Sequence, residues 1–252
     1  MIRRSPTENG INEDTHVSNL LNALRPADLA LLEPHLERVY VDAGTVLVEA
    51  GDTVKYAWFP CGPTLVSFLV LLEDARGVET ALIGREGAVG GIVSQGRLPA
   101  YARAVVQFPG PMLRIDAGLL EAAKLESVKL RHFFARYADC LLAQVFQGVA
   151  CNATHSIEQR TAKWLCAAID RTGDHVLPLT QEQLAGMLGV GRSYVGRVVA
   201  TMKRRGTLRT LRGRLMINEF DDLKALACGC NGLVRAHFDE VLAGVYPSEG
   251  EG

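Results

Sequence analysis

The chain has 252 residues, a formal net charge of -1, and 48% hydrophobic against 22% charged residues. That is room for one large domain or two modest ones in an ordinary soluble protein. No apolar run approaches the roughly 18 residues of a membrane helix. The N-terminal segment lacks the apolar centre of a signal peptide, and six scattered cysteines do not make a disulfide framework, so the expected location is a reducing cytoplasm with no membrane contact.

Residues 1–19 read as a polar, disordered leader. From Leu20 to Leu36 leucines recur at helical spacing, interrupted near Pro26 and Pro34, which predicts short helices. Between Val39 and Ile115 runs such as TVLVEAG, TLVSFLVLL and ARAVVQF are separated by Gly, Pro or Asp, the texture of a barrel or jelly roll. From Asp116 to about Ala150 glycine and proline nearly vanish, which predicts a long helix. Its stripe Leu130, Phe134, Tyr137, Leu141 and Val145 could pack against the barrel or against a second copy; because a barrel touches only part of so long a helix, the stripe is read as the seam of a homodimer. Cys151 to Ser156 reads as a joint, followed by a helix over roughly Ile157–Arg171 and a stop at Thr172-Gly173-Asp174.

The most informative stretch is LTQEQLAGMLGVGRSYVGRVV, Leu179 to Val199. Thr180 and Gln183 form a capping box, and Leu184, Ala185, Met187 and Leu188 line one helix face. Gly189 supplies the left-handed stop. A second helix begins near Arg192, with Val195, Val198 and Met202 inward, and small Ala185 lets the two helices cross closely. This is helix-turn-helix spacing, in which the second helix presents its N-terminal residues to base edges in the major groove. Arg192 and Arg197 suit guanine O6 and N7 or phosphate oxygens. Between Arg192 and Asn218 there is no Asp or Glu, so a near-neutral chain has one strongly positive end. The run RRGTLRTLRGRLMI reads as a hairpin wing whose arginines reach the sugar-phosphate backbone. The DNA-contacting set is therefore Thr180, Arg192, Ser193, Tyr194, Gly196, Arg197, Lys203, Arg212 and Arg214.

With these parts in this order, the chain resembles the Crp/Fnr family of bacterial transcription regulators from about Leu20 to Leu226. The resemblance implies an α+β fold: an N-terminal β jelly-roll sensor domain (20–118), a long dimerisation helix (119–151) and a C-terminal winged helix-turn-helix domain (152–246), with a disordered tail (247–252). It implies a homodimeric, effector-modulated regulator, not an enzyme. Its partners would be double-stranded DNA with an inverted-repeat operator and RNA polymerase. Family members often carry Glu after the first recognition arginine; Ser193 stands there, which implies a different operator.

The sensor half departs further from the family. Nucleotide-binding members carry a Gly-Glu pair, then Arg-Ser-Ala or Arg-Thr-Ala. In the stretch Gly84–Gln107 no acid follows Gly90-Gly91 before Arg103, and the triplet is Ala102-Arg103-Ala104. That sets the arginine one residue late, and on a strand one residue reverses the side-chain direction. Cyclic-nucleotide binding in the family's manner is not expected, and no cofactor is assigned. Glu86, Arg97 and Arg103 are the candidates for lining a pocket for another effector. No cysteine precedes Cys61, which excludes the family's iron-sulfur arrangement. Lone His35, His132 and His155 read as structural or exposed. Cys228-Gly229-Cys230, with His237 beyond, is a candidate metal-binding or redox pair, but two thiolates and a distant histidine fall short of a four-ligand zinc set, so no metal is assigned. A different class, a ligand-binding or protein-interaction module whose winged domain does not meet DNA, would require a neutral or acidic recognition face. Neither Ser-His-Asp spacing nor a phosphate loop supports an enzyme.

Overall fold

A computed structural model describes residues 2–4, 18–74, 76–92 and 98–242. Two four-stranded antiparallel sheets form the N-terminal half. The first orders β1 (Ile2–Arg4), β2 (Glu37–Val41), β8 (Gly110–Asp116) and β4 (Tyr56–Pro60); the second orders β3 (Val46–Val48), β7 (Arg103–Phe108), β5 (Leu65–Leu71) and β6 (Gly77–Ile83). Alternation sets the inward face: along β7, Ala104, Val106 and Phe108 are buried and the residues between them less so. Register follows, with Val39 opposite Met112 and Val66 opposite both Ile83 and Val106. These residues, with Val41, Trp58, Ala81 and Val89, fill the space between the sheets. This is the expected jelly roll. Within the leader expected to be disordered, Ile2–Arg4 pair with Val41–Val39 as an edge strand, and Asn19 starts a helix. The middle of that leader and the tail at 247–252 lie outside the described residues.

Prolines set the helical entry as their fixed φ requires. After α1 (Asn19–Asn22), Pro26 opens α2 (Pro26–Leu32), and a 3-10 turn, Glu33–His35, carries Pro34. The helix expected over 119–151 is two helices, α3 (Ala117–Glu126) and α4 (Val128–Thr154). Ser127 breaks it: in extended backbone, its hydroxyl caps Leu130 N–H and donates to Asp28 Oδ1 at 2.6 Å. The second helix runs three residues beyond the expected end.

Next come α5 (Ile157–Thr172), β9 (Val176–Leu177), α6 (Gln181–Met187), α7 (Arg192–Arg204), β10 (Leu208–Leu211), β11 (Arg214–Ile217), α8 (Phe220–Leu226) and α9 (Cys230–Val241). Strands β10, β11 and β9 make a small antiparallel sheet against the helices. The core of this half does not close on itself. Leu65, Leu82 and Phe108 of the jelly roll belong to the same buried cluster as Trp164, Leu165, Leu184, Val195 and Leu215. Helix α9 then returns to α4, where the Phe238 and Tyr137 rings meet edge-on at 6.4 Å.

Candidate nucleic-acid interface

The capping box forms as expected. Thr180 Oγ1 accepts from Gln183 N–H at 3.2 Å, and Gln183 Oε1 accepts from Thr180 N–H at 2.9 Å. Leu184, Ala185 and Met187 are buried. Gly189 turns the chain at φ +65, a left-handed position that costs other residues energy, and Val190 N–H closes back on Ala185 O at 3.0 Å. The second helix, α7, therefore starts at Arg192. Val195, Val199 and Met202 form its inward face, with Val198 only partly covered, a small refinement of the expected set.

The outward face carries the predicted reading residues. Arg192, Ser193, Tyr194 and Arg197 are exposed and Gly196 is half-buried. The Arg197 guanidinium lies 4.5 Å above the Tyr194 ring, which pre-orders it while leaving its edge free. Arg192 approaches Glu182 only at 4.0 Å, with both side chains at least 75% exposed. Such a pair is worth at most about 1 kcal/mol and exchanges readily for a phosphate or a base. The wing forms as a two-residue hairpin: Leu211 pairs with Arg214 around Arg212-Gly213, and Gly213 has φ +69. Leu208, Leu215 and Ile217 point inward, while Arg209, Arg212 and Arg214 are exposed, as is Lys203 at the end of α7. Thr180 is exposed, but its hydroxyl and its backbone N–H are both engaged with Gln183 in the cap.

The two effector candidates among the described residues, Glu86 and Arg103, have separate partners. Glu86 is buried and ion-paired with Arg171 of α5 at 2.7 Å, and it also accepts from Gly84 N–H. Arg103 bonds Glu49 at 2.6 Å on a half-exposed edge. Arg97 lies outside the described residues. Glu86 thus serves the boundary between the two halves, a role its local sequence does not signal.

The seam assignment is corrected. Leu130, Phe134 and Tyr137 are fully buried within their own chain, among Leu20, Phe59, Ile115 and Leu120, while Leu141 and Val145 pack on the jelly-roll core. Helical periodicity identifies an apolar face without saying what covers it. Besides Val128 at its first position, the large apolar residues α4 leaves in solvent are Leu142, Phe146 and Val149, spaced four and three apart on another face.

Sequence reading found only half of a cluster. Cys151 and His155, one helical turn apart at the end of α4, meet Cys228 and Cys230; His237 is not among them. Cys61, Cys140 and Cys166 are core thiols that burial pushes up to about 11, 11 and 12.

A jelly roll joined by a long helix to a winged helix-turn-helix with a basic outer face defines the class to which this molecule is similar. Residues 159–226 match the family model of the Crp-like helix-turn-helix domain. Solved structures share the fold over about three quarters of the chain. FixK2 from Bradyrhizobium japonicum superposes with TM-score 0.65 at 14% identity, over 77% of this chain and 98% of that one. CLP from Xanthomonas campestris gives 0.62 at 14% over 77% and 99%, and TTHB099 from Thermus thermophilus, a CRP-family transcriptional regulator, gives 0.62 at 17% over 75% and 95%. A comparison with curated proteins found no match. The chain thus carries a Crp-like helix-turn-helix domain within a Crp/Fnr-type fold, and no described helix is long and apolar enough to cross a membrane.

Proposed function

We propose that the protein is a homodimeric, sequence-specific DNA-binding transcription regulator whose jelly roll modulates the winged domain. The observation that carries this reading is the outer face of α7 and the wing. Arg192, Arg197, Lys203, Arg212 and Arg214 stand in solvent on one rigid unit, in a stretch of sequence without an acid. The first turn of α7 reads base edges through Arg192, Ser193 and Arg197, while Lys203 and the wing arginines hold phosphates. A module that does not meet DNA has no use for such a face, and nothing favours an enzyme.

The dimer forms along the exposed face of α4, with Leu142, Phe146 and Val149 against the same residues of a second copy, a self-complementary two-fold contact. Two reading heads then sit one helical turn apart, about 34 Å, and select an inverted repeat. On such a site the dimer engages RNA polymerase from the cytoplasm. Effector modulation is supported by the shared core and by the close approach of Gly189 to β6, where an added Cβ would lie 3.4 Å from the Val78 side chain. A shift in β5 or β6 is therefore felt at the helix-turn-helix turn. The test is footprinting on the DNA upstream of the protein's own gene: protection of two half-sites one turn apart supports the reading, and uniform salt-sensitive coating without a preferred site contradicts it.

A further inference from the structure

Four side chains from two distant segments converge where α4, α5 and α9 meet. Cys151 lies in the last turn of α4 and His155 is its C-cap, so they share a face at i and i+4. Cys228 and Cys230 flank Gly229 in the link from α8 to α9. Their ligand atoms all lie within 4.8 Å of one another. Cys151 Sγ is 3.6 Å from Cys228 Sγ, and Cys230 Sγ is 3.6 Å from His155 Nδ1. A tetrahedral ion with metal–sulfur bonds of about 2.3 Å and metal–nitrogen bonds of about 2.0 Å requires about 3.8 Å between sulfurs and about 3.5 Å from sulfur to nitrogen.

A disulfide, an iron-sulfur cluster and plain core packing each fit these positions less well. At 3.6 Å the two sulfurs are not a disulfide, which needs about 2.05 Å. A four-iron cluster, with each thiolate on a different iron, spreads its ligands further apart. Ordinary core packing would mix the thiols with aliphatic side chains, yet the three cysteines form a buried cluster of their own, separate from the three apolar cores. Gln147 adds an outer contact, its Nε2 donating to Cys230 Sγ at 3.2 Å, as expected around a metal-bound thiolate.

We propose that Cys151, His155, Cys228 and Cys230 bind one zinc-class divalent ion in a tetrahedral three-sulfur, one-nitrogen site. Binding releases the three thiol protons to solvent, and the neutral imidazole gives its Nδ1 lone pair. The ion ties the joint between α4 and α5 to the start of α9. That helix is already held to α5 by Asn231 Nδ2 on Lys163 O at 2.9 Å and by Arg235 on Asp170 at 2.6 Å. The consequence, a reading head fixed relative to α4, rests on the DNA-binding reading; the ion itself does not.

The test needs no DNA. The reduced full-length chain, stripped with chelator, is titrated with cobalt(II) as spectroscopic probe and then with zinc. The expected result is one cobalt per chain, with tetrahedral ligand-field bands and a thiolate-to-cobalt charge-transfer band, displaced by zinc. Cys228→Ser should weaken binding by about 100-fold or more, and Gln147→Leu by about tenfold. His155→Ala, at a half-exposed helix end, keeps the chain folded by circular dichroism and should shift the cobalt spectrum. Zinc should also slow amide exchange in residues 150–157. Absence of stoichiometric cobalt in the reduced wild type, an octahedral spectrum without thiolate bands, or a spectrum indifferent to both Cys228→Ser and His155→Ala would overturn the site.

Discussion

Trp164 of α5 donates its indole N–H to Glu79 of β6 at 2.7 Å, joining the winged domain to the jelly roll through a part-buried carboxyl. Ser67 donates to the other oxygen of the same group. A few residues away Arg171 and Glu86 cross the same boundary, and Phe108 meets the Trp164 ring edge-on. The two halves are thus held by both an apolar core and buried polar contacts, so the winged domain is not a freely tethered head.

Burial raises the Glu79 carboxyl from about 4.5 to about 7, against the opposing pull of the Ser67 and Trp164 hydrogen bonds and of the Arg171 and Lys163 charges. Between those two pH values the docked protein keeps a proton that the unfolded chain has released. Stability is therefore greatest below about 4.5 from this group and falls as pH rises toward 7, by an amount on the order of 3 kcal/mol. Denaturation midpoints across pH 5–7.5 should show this decline. Glu79→Gln, which can keep both hydrogen bonds, should flatten it and stabilise the protein at pH 7.

Arg171→Met should destabilise the protein by about 3–5 kcal/mol, because it leaves Glu86 buried without its counter-charge. The double variant with Glu86→Gln should recover part of that loss, a coupling readable by a double-mutant cycle in urea.

On α4 two substitutions should separate fold from assembly. Phe134→Ala removes a fully buried ring and should cost about 3–5 kcal/mol of stability. Phe146→Asp, on the exposed face, should leave the unfolding midpoint nearly unchanged but convert a dimer to a monomer in sedimentation. A monomeric wild type would remove the dimer from the account.

In the reading head, Arg192→Ala and Arg197→Ala should each cost about 1–3 kcal/mol of specific affinity and relax the preferred sequence. Arg214→Ala should weaken all DNA about equally and reduce the salt slope by about one. Gel shifts at two salt concentrations distinguish the two behaviours.

What the sequence made legible was local. The capping box at Thr180 and Gln183, the left-handed Gly189 and the Arg212-Gly213 turn each sit within a few residues and carry their own geometry. The partner of an apolar face is not local: Leu130 and Phe134 repeat with the same period whether they face another copy or, as here, Phe59 and Ile115. The thiol cluster joins Cys151 to Cys228, 77 positions apart, and half of its signal, the one-turn spacing of Cys151 and His155, lies within a segment that reads as a joint. Glu79, Trp164, Glu86 and Arg171 belong to a boundary that no single segment encodes.

The most direct measurement is hydroxyl-radical footprinting of the wild type and the Arg192→Ala/Arg197→Ala double variant on the same upstream DNA. The account predicts two protected patches about one helical turn apart for the wild type, lost in the variant while its fold and oligomeric state persist. Identical protection by both proteins would mean that the outer face of α7 does not read the duplex.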